Sequence, residues 1–269
     1  MKLAVTTLGC PEWDIRTIAE TLGKIGVEGL EIRGIQGVMR TDEIPCLKKE
    51  NWKDTQTLLS DNGVKVYCLG TSVRFHDAEC YDDMLDEGKK AIDTAAFIGA
   101  GAIRVFGDQL TGDPEKDNEI FARIIGGYRE LCAYAKDTGV RVCQETHGSF
   151  NTLEAIGRVL DGMKDVPEFG YIWDVMHTYR AYGRPFEAAY ELLRSRINHL
   201  HVKDCTQEHK LVPCGEGDIP LGEIVTALKK DSYNGYISLE WEKVWHPYLA
   251  DAEEIFPAFS KYFAGLIAQ

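Results

Sequence analysis

Four residues able to do chemistry together stand at or near the ends of strand-like runs in this 269-residue chain: Glu145, Asp174, His201 and Glu240. Side chains on a strand alternate between its two faces, so each residue's face can be read from its neighbours. In Val140–Glu145, Val140 and Val142 share one face while Cys143 and Glu145 share the other; in Phe169–Asp174, Tyr171 and Trp173 oppose Ile172 and Asp174. In Ile197–Val202, Leu200 and Val202 oppose His199 and His201; in Tyr236–Glu240, Ile237 and Leu239 oppose Ser238 and Glu240. Each bulky apolar pair suits a helix-covered side, which leaves the carboxylate or imidazole facing the other way. Adjacent strands lie about 4.8 Å apart, so four such side chains can converge on one point. Three carboxylates meeting there repel one another, and a cation relieves the repulsion while the imidazole stays neutral and ligates. Three oxygen donors and one nitrogen favour Mn²⁺ foremost, then Mg²⁺ or Co²⁺, with Zn²⁺ compatible. Any single acid at a strand end is more often a helix N-cap or a surface charge, but four with matching parity are not explained that way. His199, one layer below His201, is expected to be a buried, hydrogen-bonded core residue or a supporter of His201.

Such a cluster needs a scaffold that gathers four strand ends. Four further β-rich runs, Leu3–Thr7, Gly29–Arg33, Val64–Leu69 and Ala102–Phe106, complete a set of eight. Helical periodicity recurs between them, as in Ile15, Ile18, Ala19, Leu22 and Ile25, or Leu85, Ala91, Ile92, Ala95 and Ile98. Strict strand–helix alternation implies parallel strands, and eight repeats in this length predict an α/β fold, a single (β/α)₈ TIM barrel domain over residues 1–269. An open doubly wound sheet is the alternative. Against it, Thr6-Thr7-Leu8-Gly9-Cys10-Pro11 follows the first run where a G-x-G-x-x-G would stand, and Gly99-Ala100-Gly101 precedes a strand and reads as a helix-ending turn. In a barrel the four candidates fall at the C-terminal mouth, where barrel enzymes place their chemistry.

Composition narrows the partners. A formal charge of −13 repels a phosphodiester backbone, so no nucleic-acid partner is expected. No run of about 18 apolar residues and no signal-like leader is present, which predicts a soluble, cytoplasmic chain with no membrane partner. The eight cysteines contain no C-x-x-C pair and read as reduced core fillers.

Five motifs then resemble a known family: Gln144–His147 (Q-E-T-H), Trp173–His177 (W-D-V-M-H), His199–Asp204 (H-L-H-V-K-D), Gly215–Asp218 (G-E-G-D) and Gly235–Glu240 (G-Y-I-S-L-E). In this order they are similar to the xylose-isomerase-like sugar phosphate isomerase/epimerase superfamily. The resemblance spans almost the whole chain and is strongest from residue 140 onward. It implies one divalent metal ion on Glu145, Asp174, His201 and Glu240, with Glu145 and Glu240 also acting as the catalytic acid/base pair on opposite faces of a sugar, through a metal-stabilised enediolate. It also implies substrate contact by His177, three residues after Asp174.

The residues themselves add weaker candidates. His147 and Lys203 could bind substrate, although Lys203 could equally just neutralise Asp204. Trp13, Phe75, His76, Trp241 and Trp245 fall in or near mouth loops and could wall a sugar. Arg104, Glu31 and Arg33 are expected to form ion pairs inside the barrel. The expected substrate is a small sugar, sugar phosphate or polyol, and a homo-oligomer is compatible.

Three other functions compete. A keto-inositol or ketoacid dehydratase starts from the same enediolate and differs only in its fate. The superfamily's DNA-repair endonucleases build a three-metal site with extra histidines; Arg104-Val105-Phe106-Gly107 has no histidine, and His209-Lys210-Leu211 stands where they carry an Asp-x-His pair. A non-catalytic sugar binder would have no need of both Glu145 and Glu240.

Overall fold

The computed structural model describes residues 1–183 and 186–269. Eight parallel strands close into a barrel: β1 (Lys2–Thr6), β2 (Gly29–Ile32), β3 (Lys65–Arg74), β4 (Ala102–Phe106), β5 (Arg141–Glu145), β6 (Phe169–Asp174), β7 (Ile197–Val202) and β10 (Tyr236–Leu239). The first strand pairs with the last, Ala4 opposite Ser238, which seals the ring. Between β7 and β10 lies a small antiparallel ribbon, β8 (Asp204–Cys205) and β9 (Leu211–Val212).

Helices α1 (Ile15–Ile25), α2 (Lys49–Asp61), α3 (Tyr81–Ile98), α4 (Pro114–Ala135), α5 (Leu153–Gly162), α6 (Val175–Tyr182), α7 (Glu187–Leu193), α8 (Leu221–Lys230) and α9 (Ala252–Ala268) surround the barrel. Their starts follow from capping chemistry: Asp14 accepts a 2.8 Å hydrogen bond from Thr17 N–H, and Asp113 and Thr152 cap α4 and α5 in the same way. Gly99 ends α3 in a left-handed conformation (φ 76°), confirming that its glycine pair is a turn. One continuous apolar layer lies between strands and helices, including Ile18, Leu22, Ile92, Ile103, Val142 and Trp173. Burying each such side chain stabilises the fold by roughly 1.5–3 kcal/mol before entropy is counted.

Inside the barrel a separate small cluster of Ala4, Tyr67, Cys68, Ala102, Cys143 and Ile172 fills the space beneath the mouth. Two irregularities shape what sits above it. The β2–β3 register shifts between Leu30 and Glu31, which turns both Tyr67 and Cys68 inward. The β6–β7 register shifts between Tyr171 and Ile172, so the irregularity at Asn198 precedes His199 and leaves the alternation intact from there on. Among the described residues no helix is long and apolar enough to cross a membrane.

Candidate metal centre

Glu145 ends β5, Asp174 ends β6, His201 is the penultimate residue of β7, and Glu240 directly follows β10. Pairing of Asp174 with His201, and of Ser238 with His201, holds these positions in adjacent layers of the barrel. None of the four is more than 3% exposed. Each offers one ligand atom, and the four atoms lie within 4.8 Å of one another.

Asp174 divides its work between its oxygens. Oδ1 accepts a hydrogen bond from His177 N–H (2.9 Å) and caps α6, while Oδ2 faces the cluster, where the Lys203 ammonium lies 2.8 Å away. Capping α6 therefore leaves this residue a second oxygen turned toward the other three. His201 is split likewise. Its Nε2 lies 2.8 Å from Glu31 Oε2, and its Nδ1 lies 3.4 Å from Glu145 Oε1 and 3.3 Å from Glu240 Oε1. A carboxylate accepting from one ring nitrogen leaves the other free to ligate, which is how metal-binding histidines are usually oriented. Glu31 Oε2 also takes His199 Nε2 (3.1 Å) and the Tyr67 hydroxyl (3.2 Å), which the shifted strand brings beneath it. Glu31, His199 and His201 could themselves hold an ion, but that oxygen already has three donors. Burial pushes the Glu31 carboxyl up, yet the two histidines hold it well below the usual carboxylate range.

Two cations reach the cluster. Arg104 Nη1 lies 3.0 Å from Glu240 Oε1 and 3.1 Å from Glu145 Oε2. Lys203, fully buried, places Nζ 2.8 Å from Asp174 Oδ2 and 2.6 Å from Glu242 Oε1, and also contacts Glu240 Oε2. Burial and the neighbouring Glu240 push Glu145 up, but Arg104 and His201 prevail and hold it at about 2. Burial likewise raises Glu240, and Lys203, His201 and Arg104 bring it well below the ordinary carboxylate value.

The donor set fits a divalent ion. Glu31, Glu145, Asp174 and Glu240 are buried carboxylates around His201, and among the described residues the permanent cations paired with them are two, Arg104 on Glu145 and Glu240 and Lys203 on Asp174 and Glu240. The excess negative charge is that of two carboxylates. Glu145 Oε2, Asp174 Oδ2 and His201 Nδ1 are buried and converge on one place, where their neighbours are the charged side chains of Arg104, Lys203 and the two glutamates.

The other residues singled out by sequence divide. His147 lines a cavity of about 210 Å³ that Glu145 and Glu240 also border, and packs edge-on against His177 with ring centroids 4.8 Å apart. His177 Nε2 stands 3.8 Å from Asp174 Oδ2. Trp245 lines the same cavity and is half-exposed. Trp13 does not join them: it packs edge-on against Phe256 and borders a different cavity, because the chain turns away from the barrel axis into α1. Phe75 is core, tilted against Tyr81 and edge-on to Tyr128, and the Trp241 indole donates to Ala250 O. His76 stands beside Asp108.

Lys203 neutralises the inner acids and not Asp204, whose opposite parity turns it toward backbone N–H groups of Cys205, Gly215, Gly217 and Ile219. Arg104 does form ion pairs in the barrel, but with the site glutamates; Glu31 pairs with histidines. Arg33 makes no ion pair among the described residues. Glu31's engagement with His201 and the position of Glu242 beside Lys203 escaped sequence reasoning, although Glu31's parity and level were visible.

A closed ring of eight parallel strands, each followed by helix, with a carboxylate–imidazole cluster at its mouth, defines the class of the fold, a (β/α)₈ TIM barrel. The chain matches the xylose isomerase-like TIM barrel family over residues 19–259 and belongs to it. It is 25% identical over 254 residues to fructoselysine 3-epimerase of Shigella flexneri, covering 89% of this chain and 90% of that one. It is also 25% identical over 239 residues to inosose isomerase of Halalkalibacterium halodurans (81% and 79% covered). Inosose dehydratase of Serratia proteamaculans is 29% identical over 153 residues, 48% of this chain and 50% of that one. Among solved structures, the probable 3-DHS dehydratase AsbF of Bacillus anthracis superposes with a TM-score of 0.80 at 18% identity, over 98% of this chain and 99% of its own. The IOLI protein with a bound zinc atom gives 0.79 at 20% identity, over 100% and 98%.

Proposed function

We propose that this single-domain barrel is a divalent-metal-dependent isomerase or epimerase of a small sugar, sugar phosphate or polyol. The observation that carries the proposal is the pair of buried carboxylates, Glu145 and Glu240, that border one cavity and share the same Arg104 nitrogen. A divalent ion on Glu145, Asp174, His201 and Glu240 would withdraw charge from substrate oxygens and make the carbon beside a carbonyl easier to deprotonate. The ionised glutamate on one face takes that proton; the other, first protonated from solvent, returns one on the opposite face, and both reset by proton exchange with solvent. Arg104 holds both carboxylates in place and favours their ionised form, so whichever serves as the base starts ready to accept a proton. His147, which borders that cavity, and His177, packed edge-on against His147, are assigned to substrate hydroxyls. The inosose isomerase and the fructoselysine 3-epimerase among the relatives support this reading, and Mn²⁺ suits the oxygen-rich donor set, although the related IOLI barrel holds zinc.

A dehydratase on the same residues is the second reading, favoured by the inosose dehydratase match. Metal-loaded protein in deuterated water, offered ketoses, ketose phosphates and keto-inositols, tests both. Deuterium uptake beside the carbonyl at unchanged mass formula supports isomerisation, whereas a product lighter by one water supports the dehydratase. No uptake and no product from any of them sinks the proposal.

A further inference from the structure

Arg33 follows β2 with the parity of Glu31, so its side chain rises inside the barrel toward the mouth. Its stem crosses β3 at Gly70, where a Cβ would stand 2.8 Å from Arg33 Cδ and 3.4 Å from Arg104 Nη2. The missing side chain lets the two arginines lie side by side. Arg33 is only 8% exposed, yet its hydrogen-bond partners are neutral: Nη2 donates to Ser72 Oγ (2.8 Å) and Nη1 to Met39 O (3.3 Å). Glu87, Glu240 and Glu145 favour its charge from a distance but none is within ion-pair reach among the described residues, and Glu87 Oε1 is taken by the Ser72 N–H.

The cavity that holds Glu145 and Glu240 is also bordered by Arg33. Every carboxylate there is already engaged, Glu145 and Glu240 by Arg104 and Glu242 by Lys203. A neighbouring cavity of about 320 Å³ shares only Leu8 and Arg33 with the first, so Arg33 stands where the two meet. Glu12, the other charged residue bordering that second cavity, is exposed and makes no ion pair with Arg33. A desolvated cation beside a like charge is costly unless an anion joins it. Burial and Arg104 bring the Arg33 guanidinium down to about 10, still well above neutral pH, so the charge persists.

We propose that Arg33 receives a negatively charged group of the substrate, a carboxylate or a phosphate, carried at a distance from the carbon on which Glu145 and Glu240 act. A forked guanidinium suits either anion. That the anion belongs to the substrate of an isomerase or epimerase rests on the function proposed above; the preference for an anion does not.

Calorimetric titration of Mn²⁺-loaded protein with D-fructose, D-fructose 6-phosphate and D-fructuronate tests the proposal. Wild type should bind at least one of the charged sugars more than about 10-fold tighter than the neutral one, the phosphate and carboxylate arms showing which anion fits. Arg33→Gln should erase that preference and Arg33→Lys should keep part of it, with Mn²⁺ binding by each variant reporting an intact barrel. If Arg33→Gln does not fold, Arg33→Lys decides by weakening the charged sugar selectively. Equal affinity of wild type for all three sugars, or a preference that survives substitution of Arg33, overturns the proposal. Deuterium exchange is followed in parallel: an Arg33-dependent preference without exchange in any sugar would sink the proton-transfer function and leave the anion site standing.

Discussion

Glu145 and Glu240 meet at one arginine nitrogen, so changing either carboxylate to its amide leaves an oxygen for Arg104 and removes only charge and basicity. Glu145→Gln and Glu240→Gln should each slow proton exchange at the substrate carbon by roughly 10² or more with metal saturating, measured by deuterium uptake. Wild-type exchange in both would move the base elsewhere. Glu31 acts at one remove. Glu31→Gln should lower Mn²⁺ affinity by about 10–100-fold through the loosened His201 ring, while a residue that only stabilises the fold would lower Tm and leave the metal dissociation constant unchanged. The cluster was legible because parity survives from His199 onward. Parity states which way a side chain points but not which partner it meets, so Glu31 and Arg33 were read as an ion-paired set and Lys203 was offered Asp204 as a partner.

At the scale of elements, the runs and their alternation were readable because each strand buries an apolar pair against helices. The extension of β3 to Arg74 was not, since its later residues Gly70, Thr71 and Ser72 carry no apolar alternation. The β8–β9 ribbon was also invisible, as two-residue strands leave no period to detect. It is held by Asp204, whose two oxygens accept four backbone N–H groups, and Gly217 has no room for a Cβ, which would stand 2.3 Å from Asp204 Oδ1. Asp204→Ala should therefore speed hydrogen exchange at Gly215, Gly217 and Ile219 and cost a few kcal/mol, each bond to a charged acceptor being worth about 1.5–3 kcal/mol. Unchanged protection of these amides would contradict that role.

For the whole molecule, all eight cysteines are free thiols. Burial pushes Cys143 and Cys132 to about 12 and Cys46 to about 11, so few are available as thiolates. A thiol reagent should react first with Cys80, slowly or not at all with the rest, and with all eight in denaturant without reductant; a lower count there would reveal a disulfide. The ring also has two unlike arcs. The strands from β5 to β10 carry every ligand atom of the cluster, and the strands from β1 to β4 carry Glu31, Arg33 and Arg104, which steady or complement them. With the proposed ion held by one arc and tuned by the other, metal affinity would be a gauge of how well the circle is joined. Any change that loosens the seam between β1 and β10 or between β4 and β5, however far from the mouth, would then be felt as a weaker grip on the metal before it is seen as unfolding.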